Sequence, residues 1–272
     1  MNDDNKRNIY LTLVIAALIF ALFSLSVFGK GTPRVSARAA ILYDPKTNEI
    51  LYEKNATERL PMASTTKIMT ALIALERLES DRTITVPSDA VGIEGSSVYL
   101  KEGDEVTARD LIYSVLLSSA NDAAATLAYE IGGDIRSFAD IMNERAKKIG
   151  AQDTCFENPH GLDSEEHYTT ARDLALITAE ALKNDAFAEA VSTYKYEFSI
   201  SGTPRIAINH NKLLKKYEGC IGVKTGYTKR SGRCLVSAAQ KNGRTLIAVT
   251  LDAPSDWDDH TRLFNFGFST LI

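Results

Sequence analysis

Hydropathy changes texture several times along the 272 residues. Residues 9–28 (IYLTLVIAALIFALFSLSVF) carry no charge. At 1.5 Å per residue, such a helix crosses a hydrocarbon core of roughly 30 Å. The pattern changes after a polar stretch. Residues 39–44 and 49–53 are apolar-rich runs on either side of Pro45-Lys46-Thr47-Asn48, which predicts a β-hairpin. Residues 65–78 then place Ile68, Met69, Ala71, Leu72, Ile73, Leu75 and Leu78 nearly all round a helix, with no breaker, predicting a buried one. Thr107 with Asp110, and Thr170 with Asp173, are capping-box variants opening helices at 107–117 and 170–183. Between them, Asp122 is placed to cap a helix that stops at Gly132-Gly133, and a further helix is predicted over 135–150. Short β-rich runs follow at 195–200, 206–209, 222–226, 233–239 and 245–251, closed by a helix over 256–266.

Strands, then helices, then strands and a last helix predict an α+β fold, in which both ends of the chain build one antiparallel sheet around an all-helical insertion. The organisation reads as an N-terminal membrane anchor or signal segment (1–30), a linker (31–38) and one folded domain (39–272). Lys6 and Arg7 precede the apolar run, but Asp3 and Asp4 sit beside them, so charge alone does not orient it. Val35-Ser36-Ala37 offers a small-residue cleavage site. The run exceeds the usual h-region of about 7 to 15 residues, which favours a retained transmembrane helix.

Composition narrows the function classes. Thirty-one Lys and Arg against 35 Asp and Glu give a net charge of −4, so no basic field invites nucleic acid. Three cysteines (Cys155, Cys220, Cys234) do not make a disulfide scaffold, although Cys220 and Cys234 fall on predicted neighbouring strands where a disulfide or two reduced thiols are both open. The spacing of His160, His167, His210 and His260 matches no zinc pattern, so no metal is expected, and His160 is read as a structural hydrogen-bonding residue. Trp257, Phe264, Phe266 and Phe268 read as core packing.

Three motifs carry chemistry. Ser64-Thr65-Thr66-Lys67 puts a hydroxyl and an amine one turn apart at a helix start. Burial and a second cation lower a lysine pKa, which turns such an amine into a base for the serine. The competing reading is a helix cap beside a solvated lysine, and a second S-x-x-K occurs at Ser192 and Lys195. Ser119-Ala120-Asn121 falls in the break between two helices, where it either projects into a cleft or merely caps. Lys224-Thr225-Gly226 lies on a predicted strand, which can offer backbone groups to an extended peptide while presenting a cation and a hydroxyl, or is simply a polar strand end. The three together, in this order, are the set found in penicillin-binding proteins and β-lactamases.

With PMASTTKIMTA, SSANDAA, NPHGLD, HYTTARDLA and GVKTGYT, the chain from about Ser36 onward resembles the low-molecular-mass penicillin-binding proteins that act as D-alanyl-D-alanine carboxypeptidases. The resemblance implies a β-lactamase/transpeptidase-like fold without a cofactor and removal of the terminal D-Ala from peptidoglycan stem pentapeptides, with β-lactams as covalent inhibitors. It implies Ser64 as nucleophile and Lys67 as its base. Ser119 and Asn121 would relay a proton and hold the substrate amide, and Lys224 and Thr225 would bind the carboxylate. Gly226 belongs to the same motif, and the Ser64 and Tyr227 N–H groups would form the oxyanion hole. Arg233, at the start of the next strand, is the candidate guanidinium for the carboxylate. Several relatives take that arginine from before the last helix, where this chain has Ser255-Asp256-Trp257-Asp258-Asp259-His260. Two other readings are a β-lactamase, for which Glu165 or Glu166 would have to supply a deacylating carboxylate, and a membrane-anchored sensor without turnover. The expected location is the extracytoplasmic face of a bacterial membrane, held through residues 9–28, since residues 39–272 leave no room for the further C-terminal β-domain and amphipathic helix that many relatives carry.

Overall fold

The computed structural model describes residues 32–270, so the apolar run at 9–28 lies outside the described residues, among which no helix is long and apolar enough to cross a membrane. The strands β1 (Ala39–Asp44) and β2 (Glu49–Lys54) form the expected hairpin. A 3-10 turn (Ala63–Thr66) leads into α1 (Lys67–Arg77). The helical block continues with α2 (Ala108–Leu117), α3 (Asn121–Gly132), α4 (Ile135–Ile149), α5 (Ala171–Ala181) and α6 (Asp185–Ser192). A small ribbon, β3 (Thr83–Thr85) with β4 (Glu105–Thr107), lies between α1 and α2. Then come β5 (Lys195–Ile200), β6 (Thr203–Ile208), the single turn α7 (Leu213–Lys216), β7 (Cys220–Thr228), β8 (Gly232–Lys241), β9 (Arg244–Leu251) and α8 (Asp256–Ser269).

Both ends of the chain build one five-stranded antiparallel sheet in the order β2-β1-β9-β8-β7. Every residue of β1 is buried, because the sheet is covered on both faces. Ile41, Val249 and Val236 face the helical block, whereas Leu42, Ala248 and Leu235 face Leu263 and Phe264 of α8. A one-residue slip would exchange these two sets, so register is fixed by two complementary cores. The N-terminal approach is fastened too: Ser36 N and Oγ and Ala37 N all donate to the buried Asp259 carboxylate of α8.

The caps predicted at Thr107 and Thr170 are present, each side chain accepting from the N–H three residues on. Two expectations, on the β5–β6 strands and on Asp122, are corrected, one helix is added, and the open cysteine question is answered. The β5–β6 hairpin forms its own two-stranded sheet instead of joining the main one, with its edge residues Thr203–Ile206 exposed. Helix α6, capped by Asn184, was not signalled by a strong periodic pattern because its apolar face is only Phe187, Ala190 and Val191. Asp122 does not cap α3; it lies inside the helix and binds a neighbouring loop. Register pairs Cys220 with Ala239 and Cys234 with Gly226, so these thiols do not face each other, and all three cysteines are free.

Candidate active site

Ser64 and Lys67 stand where the 3-10 turn becomes α1. The turn opens with Ala63 at φ +46° and is pinned from behind. Glu157 N donates to His167 Nδ1 (3.0 Å), which leaves the ring proton on Nε2 to face Thr66 Oγ1 at 2.8 Å. Thr66 Oγ1 in turn donates to Ala63 O (2.8 Å). Burial holds the His167 ring down at about 4, so this arrangement is neutral and rigid at physiological pH.

Lys67 is fully buried. Its Nζ lies 3.0 Å from Ser64 Oγ, 2.6 Å from Asn121 Oδ1 and 2.5 Å from His160 O. The last two oxygens only accept. In a neutral amine they therefore take both N–H bonds, and the lone pair is left facing the serine hydroxyl. Burial first, and the nearby Lys224 second, push the Lys67 ammonium well below its ordinary value, against a smaller opposing effect from Asp122. The His160 ring adds no charge, being held near 3 mainly by burial; its Nδ1 accepts from Leu162 N, the structural role expected of it. The contact that matters to Lys67 is the His160 carbonyl, which no side-chain motif announces.

Asn121 opens α3, and Ser119 precedes it at φ +60° on the cleft wall, buried but for 5% of its surface. Opposite them runs β7. Lys224 is buried, donates to Thr225 O (2.9 Å), and is pushed down to about 7 by that burial. Gly226 allows β7 to pass directly over the Ala63–Thr66 turn: a Cβ there would stand 3.0 Å from Ser64 N and 3.2 Å from Met62 O. That contact brings the Ser64 N–H beside the strand that carries Tyr227, itself 66% exposed.

These groups line one cleft of about 370 Å³, formed by Ser64, Ser119, Thr225, Gly226, Tyr227 and Arg233 together with Ser96, His210, Lys212, Asp256 and Trp257. A larger groove of about 790 Å³ between residues 32–35 and β2 holds none of them. Arg233 faces the cleft but is engaged by the buried Asp256 (3.0 Å), with Trp257 5.9 Å beneath its guanidinium. Trp257 thus lines the cleft as well as packing, partly buried, against the core under α8. Phe264 and Phe268 do stack in the core. The second S-x-x-K copy makes no site: Ser192 ends α6, and Lys195 is exposed and paired with Glu197. Glu165 and Glu166 are exposed on the loop before α5 and do not line the cleft. No group of three metal-ligating side chains occurs among the described residues.

Ser96, His210 and Lys212 were not anticipated from sequence, because they come from irregular segments without a motif. His210 N bonds to Leu117 O, which ties its segment to the end of α2.

Comparison with known proteins agrees with this geometry. The family profile for D-alanyl-D-alanine carboxypeptidase, peptidase S11, matches residues 26–255. The chain is 34% identical to D-alanyl-D-alanine carboxypeptidase DacF of Bacillus subtilis (95% of this chain, 70% of the relative) and 38% identical to DacC of Escherichia coli (87% and 62%). Among solved structures, the Streptomyces K15 DD-transpeptidase superposes with a TM-score of 0.83 at 34% identity, covering 88% of this chain and all of that one. The motifs, the cleft they share and these matches lead to one assignment: the chain belongs to the D-alanyl-D-alanine carboxypeptidase family, peptidase S11.

Proposed function

We propose that the protein is a serine-type D-Ala-D-Ala carboxypeptidase that releases the terminal D-Ala of peptidoglycan stem pentapeptides through an acyl-enzyme on Ser64. The observation that carries this reading is the buried Lys67 amine, with two carbonyl acceptors and the Ser64 hydroxyl as its three neighbours. Lys67 takes the hydroxyl proton as Ser64 Oγ bonds to the carbonyl carbon of the penultimate D-Ala. The oxyanion faces the N–H groups of Ser64 and Tyr227; one such donor is worth about 3 to 4 kcal/mol of barrier. The C–N bond then breaks, and the proton returns to the departing D-Ala amine through Lys67 or Ser119. Water completes the reaction by the reverse path, regenerating the serine and releasing the shortened peptide. Asn121 holds the substrate amide. Lys224, Thr225 and Arg233 receive the terminal carboxylate, with Arg233 oriented by Asp256.

A β-lactam acylates Ser64 in the same manner. With Glu165 and Glu166 out of the cleft, and Asp256, the one carboxylate among its described lining residues, tied to Arg233, a long-lived penicillin complex is favoured over β-lactamase turnover. The catalytic unit spans 39–272, follows a linker at 31–38, and is held by residues 9–28 on the outer face of the cell membrane, where its wall substrate lies. The test is D-Ala release from a diacyl-D-Ala-D-Ala peptide together with mass spectrometry of a penicillin-treated sample. Release by the wild type and a single adduct, both absent in Ser64→Ala, are expected. Release no greater than that of Ser64→Ala would leave a binding protein without turnover, and penicilloate production within seconds would make it a β-lactamase.

A further inference from the structure

We propose that Asp122 is a positioning residue for the Ser64–Lys67 pair: its carboxylate fixes the 94–100 loop, and that loop fixes the side chain of Asn121. The inference rests on the acylation reading above and adds a residue whose side chain touches neither Ser64 nor Lys67.

Asp122 is 1% exposed, directly after Asn121 on α3. Its carboxylate accepts from Ser97 Oγ (2.5 Å), Leu100 N (3.0 Å), Val98 N (3.3 Å) and its neighbour Ala123 N (2.9 Å). No lysine or arginine lies within ion-pair distance of it among the described residues, so its direct contacts are hydrogen-bond donors only. A buried carboxylate is costly to retain unless its bonds are needed, and three of these four bonds hold one loop. That loop is irregular, with positive φ at Gly95 and Tyr99.

The loop returns two carbonyls to the catalytic helix. Glu94 O accepts from Asn121 Nδ2 (2.5 Å) and Ser96 O from Asn121 N (2.7 Å). Because Glu94 O can only accept, the amide nitrogen must point to the loop and Oδ1 to Lys67, at 2.6 Å. Without the loop the amide could turn its NH2 toward the lysine, placing donor against donor. Gly95 shows how tight the fit is: a Cβ there would stand 2.8 Å from Asn121 Nδ2. Asp122 therefore acts on Lys67 through Ser97, the loop and Asn121, and also directly through its charge. The groups facing Lys67 are Ser64, Asn121, the His160 carbonyl, the Lys224 ammonium and Asp122, with the His160 and His167 rings uncharged.

The experiment is the second-order rate of acylation by benzylpenicillin between pH 4 and 10, on the full chain and its Asp122→Asn and Ser97→Ala variants, with a melting curve for each. Ser97→Ala removes one loop bond and keeps the charge; acylation should slow about threefold with the acid limb of the profile unmoved. Asp122→Asn should slow acylation about tenfold or more, since small misplacements of a catalytic group cost up to about a hundredfold. It should also move the acid limb to lower pH, because the charge that favours protonated Lys67 is gone. Wild-type rates in both variants would overturn the proposal, as would an Asp122→Asn rate that falls only in step with Tm while the acid limb stays in place. Should Asp122→Asn not fold, an unchanged Ser97→Ala rate is sufficient to reject it. A wild type that is acylated no faster than Ser64→Ala sinks the carboxypeptidase reading instead, which keeps the two failures apart.

Discussion

Two serine–base pairs lie on opposite faces of the sheet, one open to the cleft and one sealed under α8. At the cleft, Ser64 faces Lys67. Under α8, His260 Nδ1 contacts Ser237 Oγ, and its Nε2 lies 2.9 Å from Thr250 Oγ1. On residue types alone, the serine–histidine pair is the more familiar nucleophile and base. Yet Ser237, Thr250 and His260 are all fully enclosed, both ring nitrogens are occupied by hydroxyls, and burial holds the imidazole near 3. Ser64 instead opens onto a cleft, and its base is flanked by two carbonyl acceptors that leave its third direction to the hydroxyl. Access and unspent hydrogen-bonding capacity separate a reactive pair from a structural one.

The sharpest way to break this comparison is to delete one member from each pair. Lys67→Ala should reduce penicillin acylation by about 100- to 10,000-fold, the range lost with a general base, while Ser237→Ala leaves acylation within about twofold and costs about 1–2 kcal/mol of stability by stranding His260. Stopped-flow acylation and urea unfolding check both; equal kinetic losses would erase the distinction.

The electrostatic half of the comparison turns on Lys224. In the proposed mechanism Lys67 acts as the neutral base, so the rate should rise with pH through the Lys67 titration. Lys224 lowers that titration. Lys224→Ala should therefore raise the Lys67 pKa and move the acid limb to higher pH, opposite to Asp122→Asn, as well as weakening substrate binding. A limb that does not move would mean the two ammonium groups do not sense each other.

The smallest effect lies in the sealed pair. The folded value of His260 is about 3 against about 6.5 unfolded, so the unfolded chain binds the extra proton first as pH falls. Its contribution is complete above pH 6.5 and is lost between there and about 3, at about 1.4 kcal/mol per pH unit. Unfolding free energy measured from pH 7 to 4.5 should fall less steeply in His260→Gln than in the wild type. Equal slopes would place the acid sensitivity elsewhere, His160 and His167 being the other low-lying imidazoles.

Much of this was legible from local signals. Thr107 and Thr170 announced their helices because a cap is a contact between residues three apart. The motif residues Ser64, Lys67, Ser119, Asn121, Lys224, Thr225, Gly226, Tyr227 and Arg233 do converge on one site, six of them lining the cleft and Lys67, Asn121 and Lys224 buried in or beside its walls. The unseen partners were backbone groups and charges distant in sequence: the His160 carbonyl, the Glu94 carbonyl, and Asp256 holding Arg233. A carbonyl is present at every residue, so nothing in the side-chain sequence marks the one that receives a lysine. The state of Cys220 and Cys234 stayed open for a related reason, since strand adjacency was readable but the register that separates them was not.

Taken by itself, then, the sequence determined the order of strands and helices and the chemical types at the catalytic positions, because period, caps and short motifs are written within a few residues of one another. Tertiary structure alone decided which Lys67 proton faces which oxygen, which of the two serines, Ser64 or Ser237, is reachable, and how the two lysines share one low-dielectric site. Those depend on distances between segments, up to 160 residues apart from Ser64 to Lys224, that only packing of the sheet against the helices brings to contact.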